Sequence, residues 1–511
     1  MRPSVPREPS LLQALIPLLL LIALLVLGIA LFADDAVYGA SQIALLLAAG
    51  VAAIIGIRNG LSWADIQEAM AHGVSVSVGA ILILLAVGAL IGSWLLSGTV
   101  PTLIVYGLEL LNPSYFYPAV CVICAITSLA IGSSWTTAGT VGVALIGIAQ
   151  GMDMSVAATA GAVVSGAYFG DKLSPLSDTT NLAPAVSGAE LFSHIRNLLW
   201  TTIPSLAIAL AMFTVLGFVS GAADGELATK VDLPAILAAR FDLGWYLLLP
   251  MLLVFGLAFA RFPAYPTILI GALVGVVFAV VFQPDAVVAL AGNAELSRPM
   301  ALLAGAWTAL FNGYSIETGN AVVDELLGGG GMSNMLNTVW LVICAMCFGA
   351  VMERTGLLER MIRSVLAMAH SARALIVSTL VTAFGTNVIT ADQYMSLVLP
   401  GKLYQTEYAR RGLSPLNLSR ALEDGGTITS PLVPWNTCAA FMAATLGVAT
   451  LDYLPYAFFN LVNFGLAFVL AWLGVRVLPL ETGAAPAPAD AQPQPEIAPA
   501  DAGDGAGRSA R

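Results

Sequence analysis

Long apolar segments separated by short polar ones run along almost the whole chain. About 20 consecutive apolar residues cross a bilayer as a helix, and eight stretches of this kind are predicted to be single spans. These stretches lie near residues 11–32, 36–57, 74–96, 197–219, 244–260, 265–282, 335–352 and 454–475. Two further regions, 155–190 and 417–450, have the length of a span but are interrupted by polar, Gly or Pro residues. Each of them is predicted to be one broken helix.

Two apolar regions, 115–150 and 374–401, are predicted to fold back on a small polar tip. The tips are Gly132 to Thr137 and Gly385 to Thr390. Each region is either a re-entrant hairpin or a pair of short spans. In both cases the chain leaves the region on the side of the membrane from which it entered. With the spans and broken helices, they give about 10 to 12 membrane segments.

Basic residues orient this arrangement, because cytoplasmic loops carry an excess of Lys and Arg. Arg2 and Arg7 place the N-terminus in the cytoplasm, and Arg58 places the next loop there, whereas 97–114 has no Lys or Arg and is predicted to lie outside. Most later basic residues also fall inside on this count. Lys230, Arg240 and Arg298 are the exceptions, on outer loops.

The chain repeats itself weakly but in order. Matching pairs are Ser97-Gly98 with Thr355-Gly356, Gly132-Ser133 with Gly385-Thr386, and Ser174-Pro175-Leu176 with Ser430-Pro431-Leu432. The loop after the first copy of the leading span has no basic residue, whereas its counterpart at 353–373 has four, so the copies face opposite sides. This pattern is typical of an inverted-repeat secondary transporter with paired broken helices.

The predicted fold class is therefore an all-α polytopic membrane protein, an inverted-repeat secondary transporter with re-entrant hairpins and broken helices. Residues 1–10 are predicted to be a cytoplasmic N-terminus and 220–243 an outer loop between two membrane repeat regions, 11–219 and 244–480. The Ala-, Pro- and Asp-rich segment 481–511 is predicted to be a disordered cytoplasmic tail.

Composition supports a membrane protein and excludes several classes of function. The chain is 58% apolar and 10% charged, whereas soluble domains are about 25% charged. The net charge of -11 argues against nucleic acid as a partner. No phosphate-binding GxxxxGK[ST] motif occurs, so transport is not expected to use ATP hydrolysis by this chain. Neither an enzymatic activity nor a cofactor is expected.

The stretch from Gly170 to Asn181, GDKLSPLSDTTN, is the one around which the chain is predicted to be organised. It brings two carboxylates and a lysine into sequence that is otherwise free of charge. Ionisable groups at membrane depth are costly unless they face a protein interior or a wet cavity. Pro175 also interrupts the helix, and irregular backbone at that depth is tolerated only where it lines a cavity. The stretch is therefore predicted to form a transport site.

Both interrupted regions are rich in oxygen ligands, which hard cations such as Na+ prefer. The predicted cation and proton site comprises carboxylates, hydroxyls and amides from both regions and from the second hairpin. Its members are Asp171, Ser174, Asp178, Thr179, Asn181, Asp392, Glu423, Asp424, Thr427, Asn436 and Thr437. Na+ is expected at these residues, and no transition metal.

Proton coupling needs a group that holds H+ and the cation in turn, and a carboxylate in such a setting can do so at cellular pH. Each candidate carboxylate also has another possible role. Asp171 is either a ligand or the partner of Lys172, and Asp178 and Asp392 are either ligands or helix N-caps. Of the adjacent Glu423 and Asp424, one is expected to face water.

No functional role is predicted for the histidines or for the paired cysteines. His72, His194 and His370 lie near predicted membrane edges and are expected to be loop histidines, which leaves proton relay to the carboxylates. The two CxxC pairs, Cys121 with Cys124 and Cys344 with Cys347, lie in apolar runs without further ligands nearby. They are expected to be small buried residues rather than zinc or redox sites.

Three runs carry a resemblance to a known family: GSSWTTAGTVG, GDKLSPLSDTTNLAP and EDGGTITSPLVPWNTC. They resemble signature segments of the NhaC family of sodium/proton antiporters, in the wider ion transporter superfamily, and the resemblance covers residues 10–480. It implies a multi-pass protein of the bacterial cytoplasmic (inner) membrane, with both termini cytoplasmic, that exports Na+, or Li+, in exchange for protons and serves pH homeostasis. The segments around Asp171 and Asp178 and from Glu423 to Thr437 would then form the ion site.

The same resemblance leaves a second function open. Relatives with similar motifs exchange organic acids or amino acids coupled to Na+ or H+, as in malate/lactate exchange. A site with two facing helix N-termini accepts a carboxylate well. Basic residues in the site would favour this alternative, and only Lys172 lies near it. A third alternative is a channel-like or non-transporting role. Whether the protein forms a homodimer in the bilayer is also left open.

Overall fold

A computed structural model describes residues 7–32, 39–110, 112–223, 233–260, 262–316, 324 and 327–480. The predicted tail 481–511 and most of the predicted N-terminal segment lie outside these ranges, and the predicted outer loop 220–243 is covered in part. Within the described ranges the structure is helical. Its β-type pairings there are two isolated bridges, Tyr314 with Gly329 and Leu413 with Pro479.

The described helices fall into two halves, separated by a group of intervening helices. The first half contains α1 (Leu11–Phe32), α2 (Ala40–Arg58), α3 (Trp63–Leu96), α4 (Thr99–Leu110), α5 (Phe116–Ile131), α6 (Ser134–Thr137), α7 (Val143–Gly151), α8 (Val156–Leu173), α9 (Asp178–Ser187) and α10 (Leu191–Ala223). The intervening group is α11 (Leu233–Arg240), α12 (Leu249–Phe259), α13 (Ala264–Phe282), α14 (Pro284–Ala291) and α15 (Arg298–Asn312). The second half contains α16 (Leu336–Arg354), α17 (Leu357–Ala367), α18 (Ala372–Thr390), α19 (Gln393–Arg410), α20 (Pro415–Leu422), α21 (Thr437–Leu446), α22 (Thr450–Tyr453) and α23 (Phe458–Leu473).

Eight of the described helices are long and apolar enough to cross a membrane, so the chain is a multi-pass membrane protein. They are Leu11–Phe32, Ala40–Arg58, Trp63–Leu96, Pro113–Ile131, Leu191–Val219, Ala264–Phe282, Ser333–Arg354 and Ala372–Thr390. A ninth candidate is a pair, Thr437–Leu446 and Thr450–Tyr456, bent by 90° at its break. The predicted spans near 244–260 and 454–475 correspond to shorter apolar helices, Trp245–Phe259 and Phe458–Leu473.

Left-handed backbone positions reveal the internal repeat more clearly than residue identity does. Among the residues with positive φ, three that follow a helix in the first half have a counterpart in the same order in the second half. The pairs are Gly98 (φ 80°) with Gly356 (φ 71°), Gly132 (φ 79°) with Ala391 (φ 57°), and Gly188 (φ 80°) with Gly447 (φ 67°). A left-handed residue stops a helix and redirects the chain. The two halves therefore turn at equivalent places.

Both predicted broken helices are confirmed. In the first, α8 ends at Leu173, and the Ser177 hydroxyl caps α9 by accepting the N–H of Thr180 at 3.5 Å. In the second, α20 runs into a π-helical turn, Glu423–Thr427, and a 3₁₀ turn, Ser430–Leu432. Pro175 and Pro431 supply no backbone N–H, which prevents a regular helix from continuing through either break.

The first hairpin tip lies where the sequence predicts it, at Gly132 and Ser133, but the second does not. Residues 385–390 belong to α18, and the chain turns immediately after them at Ala391 and Asp392. The prediction of a tip at 385–390 was wrong because its polar residues do not interrupt the helix. Thr386 and Thr390 donate their hydroxyls to carbonyls one turn earlier, at 2.8 and 2.9 Å.

Gly132 allows the first hairpin tip to approach the first break. A Cβ at this position would lie 2.6 Å from the Cβ of Leu176 and 3.0 Å from the backbone nitrogen of Ser177, and its φ is +79°. Real Cβ atoms do not tolerate such contacts, and an L side chain with this φ costs about 1–2 kcal/mol. Gly132 therefore fixes the spacing between α6 and the segment 174–177.

We expect Gly132→Ala to lower the thermal stability of the protein in detergent by roughly 1–2 kcal/mol or more. Gly385→Ala is the matched control, because it lies inside α18 with nothing within 4 Å of its Cβ position. A glycine inside a helix is destabilising relative to alanine by about 0.5–1 kcal/mol, so the control should be neutral or stabilising. Equal shifts of the unfolding temperature would contradict the assigned role of Gly132.

Candidate functional site

The two broken helices meet at a buried ion pair. Lys172, at the end of α8, donates from Nζ to Oδ1 of Asp424, in the π-helical turn of the second half. The two side chains are 0% and 1% exposed. The alternative in which Lys172 pairs with its neighbour Asp171 is therefore wrong, because its partner lies 252 residues away in the other half.

Two further helices complete this pair with polar side chains. Asn463 of α23 accepts from Lys172 Nζ at 2.9 Å and donates to Asp424 Oδ1 at 2.8 Å. Thr201 of α10 accepts from Lys172 at 3.3 Å and donates to Asp424 at 3.1 Å. The last long helix of each half thus contributes one residue. A buried ion pair is tolerated when further hydrogen bonds satisfy its charges, and removing one partner typically costs about 3–5 kcal/mol.

Asp171 lies in a ring of hydroxyl groups. Its carboxylate accepts from Ser134 Oγ and from Ser177 Oγ, both at 2.6 Å, and its side chain is buried. Thr179 lies 3.1 Å from Ser177 through its own hydroxyl. Ser134 comes from the first hairpin, and the other residues come from the first break. The result is a compact set of oxygen atoms of the kind that holds a hard cation.

Glu423 is fully buried, and neither of its carboxylate oxygens has a hydrogen-bond partner among the described residues. The hydroxyl of Thr427 lies nearby and is also buried without a bond of acceptable geometry. In the π-helical turn, Glu423 O accepts from the N–H of Ile428, five residues on, at 3.2 Å. The adjacent Asp424 is buried too, so the prediction that one of the two faces water was wrong.

An unpartnered carboxylate in a protein interior is costly, and a proton or a cation is what relieves that cost. The charged groups that act on Glu423 are Lys172, Asp171 and Asp424. Lys172 forms its ion pair with Asp424, and among the described residues no basic side chain forms an ion pair with Glu423. Glu423 and Thr427 therefore leave two buried oxygen-bearing groups for a small cationic ligand.

Two predicted site residues of the first break are exposed. Asp178 lies in the first turn of α9 and accepts from Tyr394 Oη at 3.4 Å. Ser177 is the N-cap there, and Asp178 adds the negative charge that a helix start favours. Asn181 donates to the carbonyls of Pro175 at 2.9 Å and Ser177 at 2.7 Å, which holds the broken segment in shape. Ser174 is buried and accepts the N–H of Leu176 at 3.3 Å.

The remaining predicted site residues join the second hairpin to the second break. Asp392 is buried and caps α19 by accepting the N–H of Met395 at 2.8 Å, which is the N-cap alternative. Asn436 caps α21 by accepting from Cys438 N at 3.0 Å, and its Nδ2 donates to Asn387 Oδ1 at 3.1 Å. The N–H of Thr437 donates to the carbonyl of Ala391 at 2.9 Å.

The buried polar side chains of α10 were not predicted from the sequence. Its buried residues His194, Asn197 and Thr201 recur every three or four positions and contact the second half. Thr202 and Ser205 are buried too, and their hydroxyls donate to carbonyls of α10 itself. The prediction that His194 is a loop histidine was wrong. It is fully buried, its Nδ1 lies 2.8 Å from Ser419 Oγ, and its Nε2 has no partner among the described residues. The helical spacing of these residues within an apolar span was the available signal.

α10 starts at a well-defined point just outside the membrane-spanning part. Glu190 precedes it and accepts the backbone N–H groups of Phe192 at 2.9 Å and Ser193 at 2.6 Å. Hydrogen bonds from the Ser193 hydroxyl and from these two N–H groups hold the pKa of Glu190 below its ordinary value. An ionised carboxylate at a helix N-terminus is favourable, so the start of α10 is fixed.

Comparisons with known proteins identify the family of this chain. Residues 166–475, which include both breaks, match the model of the Na+/H+ antiporter family. The chain belongs to this family. It is 40% identical over 440 residues to the Na(+)/H(+) antiporter NhaC of Alkalihalophilus pseudofirmus, covering 85% of this chain and 91% of that protein. The resemblance to the NhaC family that the three sequence runs carry is thereby confirmed.

Other relatives of this chain are named for different substrates. The chain is 39% identical over 468 residues to the Malate-2H(+)/Na(+)-lactate antiporter of Bacillus subtilis, covering 92% of this chain and 96% of that protein. It is 35% identical over 490 residues to the Arginine/ornithine antiporter ArcD of Halobacterium salinarum, covering 94% and 95%. Antiport is the shared element of these names.

We expect the two adjacent carboxylates to affect stability in opposite directions. At alkaline pH without Na+, Glu423→Gln should raise the unfolding temperature in detergent, because it removes an unpartnered buried charge worth about 1–3 kcal/mol. Asp424→Asn should lower it, because it leaves Lys172 uncompensated at a cost of about 3–5 kcal/mol. Shifts in the same direction would show that Glu423 has a stabilising partner after all.

Proposed function

We propose that the protein is a Na+/H+ antiporter that exports Na+, or Li+, in exchange for protons, with Glu423 as the group that holds the two ions in turn. The observation that carries the proposal is the complete burial of Glu423 with both carboxylate oxygens unpartnered. Such a group is stable when it carries a proton or contacts a cation. It cannot hold both, and this competition is what an exchanger needs.

The neighbouring charges favour a monovalent cation at this place. Lys172 neutralises Asp424, which leaves one uncompensated carboxylate on the π-helical turn. Two further buried oxygen atoms on or next to this turn have no hydrogen-bond partner among the described residues. Thr427 Oγ1 lies on the same turn, and Asn460 Oδ1 belongs to the amide whose Nδ2 donates to the carbonyl of Ile428 at 2.9 Å. Oxygen ligands are those that hard cations take.

Asp171 and its hydroxyl ring supply a second carboxylate on the path of the ion in this proposal. Ser134 and Ser177 would turn their hydroxyls from the carboxylate, and Thr179 would turn from Ser177, so that their oxygens face an arriving cation. Asp178, exposed at the start of α9, would attract cations at the mouth of the site. Ser174, Asn181, Asp392, Asn436 and Thr437 would hold the two breaks and the second hairpin in position, as their bonds to backbone groups suggest.

The contacts of the basic residues argue against an organic anion as the main substrate. Lys172 is fully buried and bonded to Asp424, Asn463 and Thr201. Arg420 is buried beside the second break and donates to Asn197 Oδ1 at 3.4 Å and to the carbonyl of Arg476 at 3.3 Å. All three N–H groups of Lys172 are therefore engaged, and two of the five N–H groups of Arg420 are occupied by the protein itself. The relatives named for lactate and arginine make organic exchange the competing outcome of the experiment.

We further propose that the protein lies in the bacterial cytoplasmic membrane with both termini inside. Arg354 donates to Asp65 at 2.9 Å, which joins the end of α16 to the start of α3. Arg58 at the end of α2 and Arg354 at the end of α16 therefore lie on one side of the membrane. This clustering of basic loop residues is what the positive-inside rule associates with the cytoplasm.

Exchange in everted vesicles tests the function. Addition of Na+ or Li+ should dissipate an imposed pH gradient with the native protein, and Glu423→Gln should abolish this response because it can neither release a proton nor attract a cation. Glu359→Gln is the matched control, because Glu359 is exposed on α17 and pairs with Arg363. It should retain exchange at native amounts of protein in the membrane.

Two outcomes would overturn the proposal. Normal Na+-dependent proton movement by Glu423→Gln would remove Glu423 as the carrier. A response that requires added malate, lactate or an amino acid, with none on Na+ alone, would show that the protein is an organic solute antiporter instead.

A further inference from the structure

We propose that a basic pocket at one membrane surface binds the phosphate group of an anionic phospholipid. The pocket lies between the N-terminal segment 7–9, the loop that joins α2 to α3, and the corner between α16 and α17. Its volume is about 250 Å³. It is separate from the ion site, and the inference does not depend on the proposed transport function.

Backbone contacts hold the three parts of the pocket together. The N–H of Arg7 donates to the carbonyl of Asn59 at 2.8 Å, which fixes the N-terminal segment on the α2–α3 loop. Gly356, with φ +71°, turns the chain from α16 into α17, and a Cβ there would lie 3.7 Å from Cδ of Pro9. The cavity is thus formed by segments distant in sequence that are pinned to one another, rather than by one flexible loop.

The charges on the pocket wall are predominantly positive. Four arginines and two glutamates line it: Arg7, Arg354, Arg360, Arg363, Glu8 and Glu359. Arg354 and Arg363 are engaged with Asp65 and Glu359, at 2.9 and 2.5 Å. Among the described residues, the guanidinium groups of Arg7 and Arg360 have no such partner. Two arginines are therefore available for an anion, and planar guanidinium groups suit phosphate oxygens.

Two uncharged features point to the same kind of ligand. The side-chain Nδ2 of Asn59 is buried at the pocket and has no acceptor among the described residues. α17 starts at Gly356 without a side-chain cap, which leaves its first backbone N–H groups for another acceptor. A phosphate oxygen satisfies both, because helix N-termini favour anions. Glu359 lies in that first turn, but its carboxylate binds Arg363 instead of accepting these N–H groups.

The position of the pocket favours a lipid over a soluble phosphate. α1 packs against α17, and the ends of four candidate spans, α1, α2, α3 and α16, meet at this surface. Leu11 and Leu12, at the start of α1, are 40% and 73% exposed. α17 buries Leu357, Leu358 and Ile362 and leaves charged residues on its other face, as helices at a membrane interface do. A headgroup in the pocket would place its acyl chains along α1.

Lipid binding by the purified full-length protein tests this inference. Native mass spectrometry in detergent should show retention of dioleoyl phosphatidylglycerol in preference to dioleoyl phosphatidylcholine. The double variant Arg7→Gln with Arg360→Gln should bind phosphatidylglycerol roughly 30-fold more weakly, since each basic residue near a lipid surface contributes about 1 kcal/mol. Both side chains lack ion-pair partners, so the variant should fold normally.

The control is the double variant Arg298→Gln with Arg410→Gln, which removes the same charge from exposed sites away from the pocket. It should retain phosphatidylglycerol as the native protein does. Equal loss in both double variants would mean that only net surface charge matters, and the pocket would not be a lipid site. Thermal protection by inorganic phosphate equal to that by phosphatidylglycerol would identify a soluble anion site and overturn the assignment to lipid.

Discussion

The structure depends on one buried interaction, the ion pair between Lys172 and Asp424. Each residue belongs to a helix that is interrupted within the membrane, and the two helices come from different halves of the chain. Isolated charges at this depth are costly, and pairing with well-placed hydrogen bonds offsets that cost. The pair therefore forms only when both breaks face each other and when α10 and α23 present Thr201 and Asn463. It fixes how the two halves meet.

The same pair explains why the adjacent carboxylates differ. Asp424 has its charge and hydrogen bonds satisfied, whereas Glu423 has neither. Consecutive side chains of any helix point towards different neighbours, and here the two carboxylates lie on a π-helical turn. Such turns occur frequently at functional sites. Local rules of hydrogen-bond satisfaction are broken in native proteins mainly where function requires it. The carboxylate of Asp424 thus stabilises the structure through its bonds, whereas the carboxylate of Glu423 lacks a hydrogen-bond partner among the described residues.

Much of the fold could be predicted from the sequence, because its signals are local. The apolar runs predict the spans, and Pro175 and Pro431 predict the two breaks. The uneven distribution of basic residues between matching loops predicts that the two copies of the repeat face opposite sides. The partner of Lys172 could not be predicted, since the pairing joins residues 252 positions apart. Nor could the orientation of Glu423, which depends on a π-helical turn that Gly425 and Gly426 permit but do not specify. The second hairpin tip was misplaced because threonines within a helix satisfy their own hydroxyls.

The most direct test of this account is Na+-driven proton movement by the double variant Lys172→Met with Asp424→Asn, reconstituted beside each single variant. Replacing both charges removes the pair without leaving a buried charge alone, and such replacements are often neutral. The account predicts that each single variant loses exchange and that the double variant regains a measurable part of it, because Glu423 is untouched. A double variant that inserts and folds normally but is as inactive as Asp424→Asn would contradict it, since Asp424 itself would then have to bind the ion.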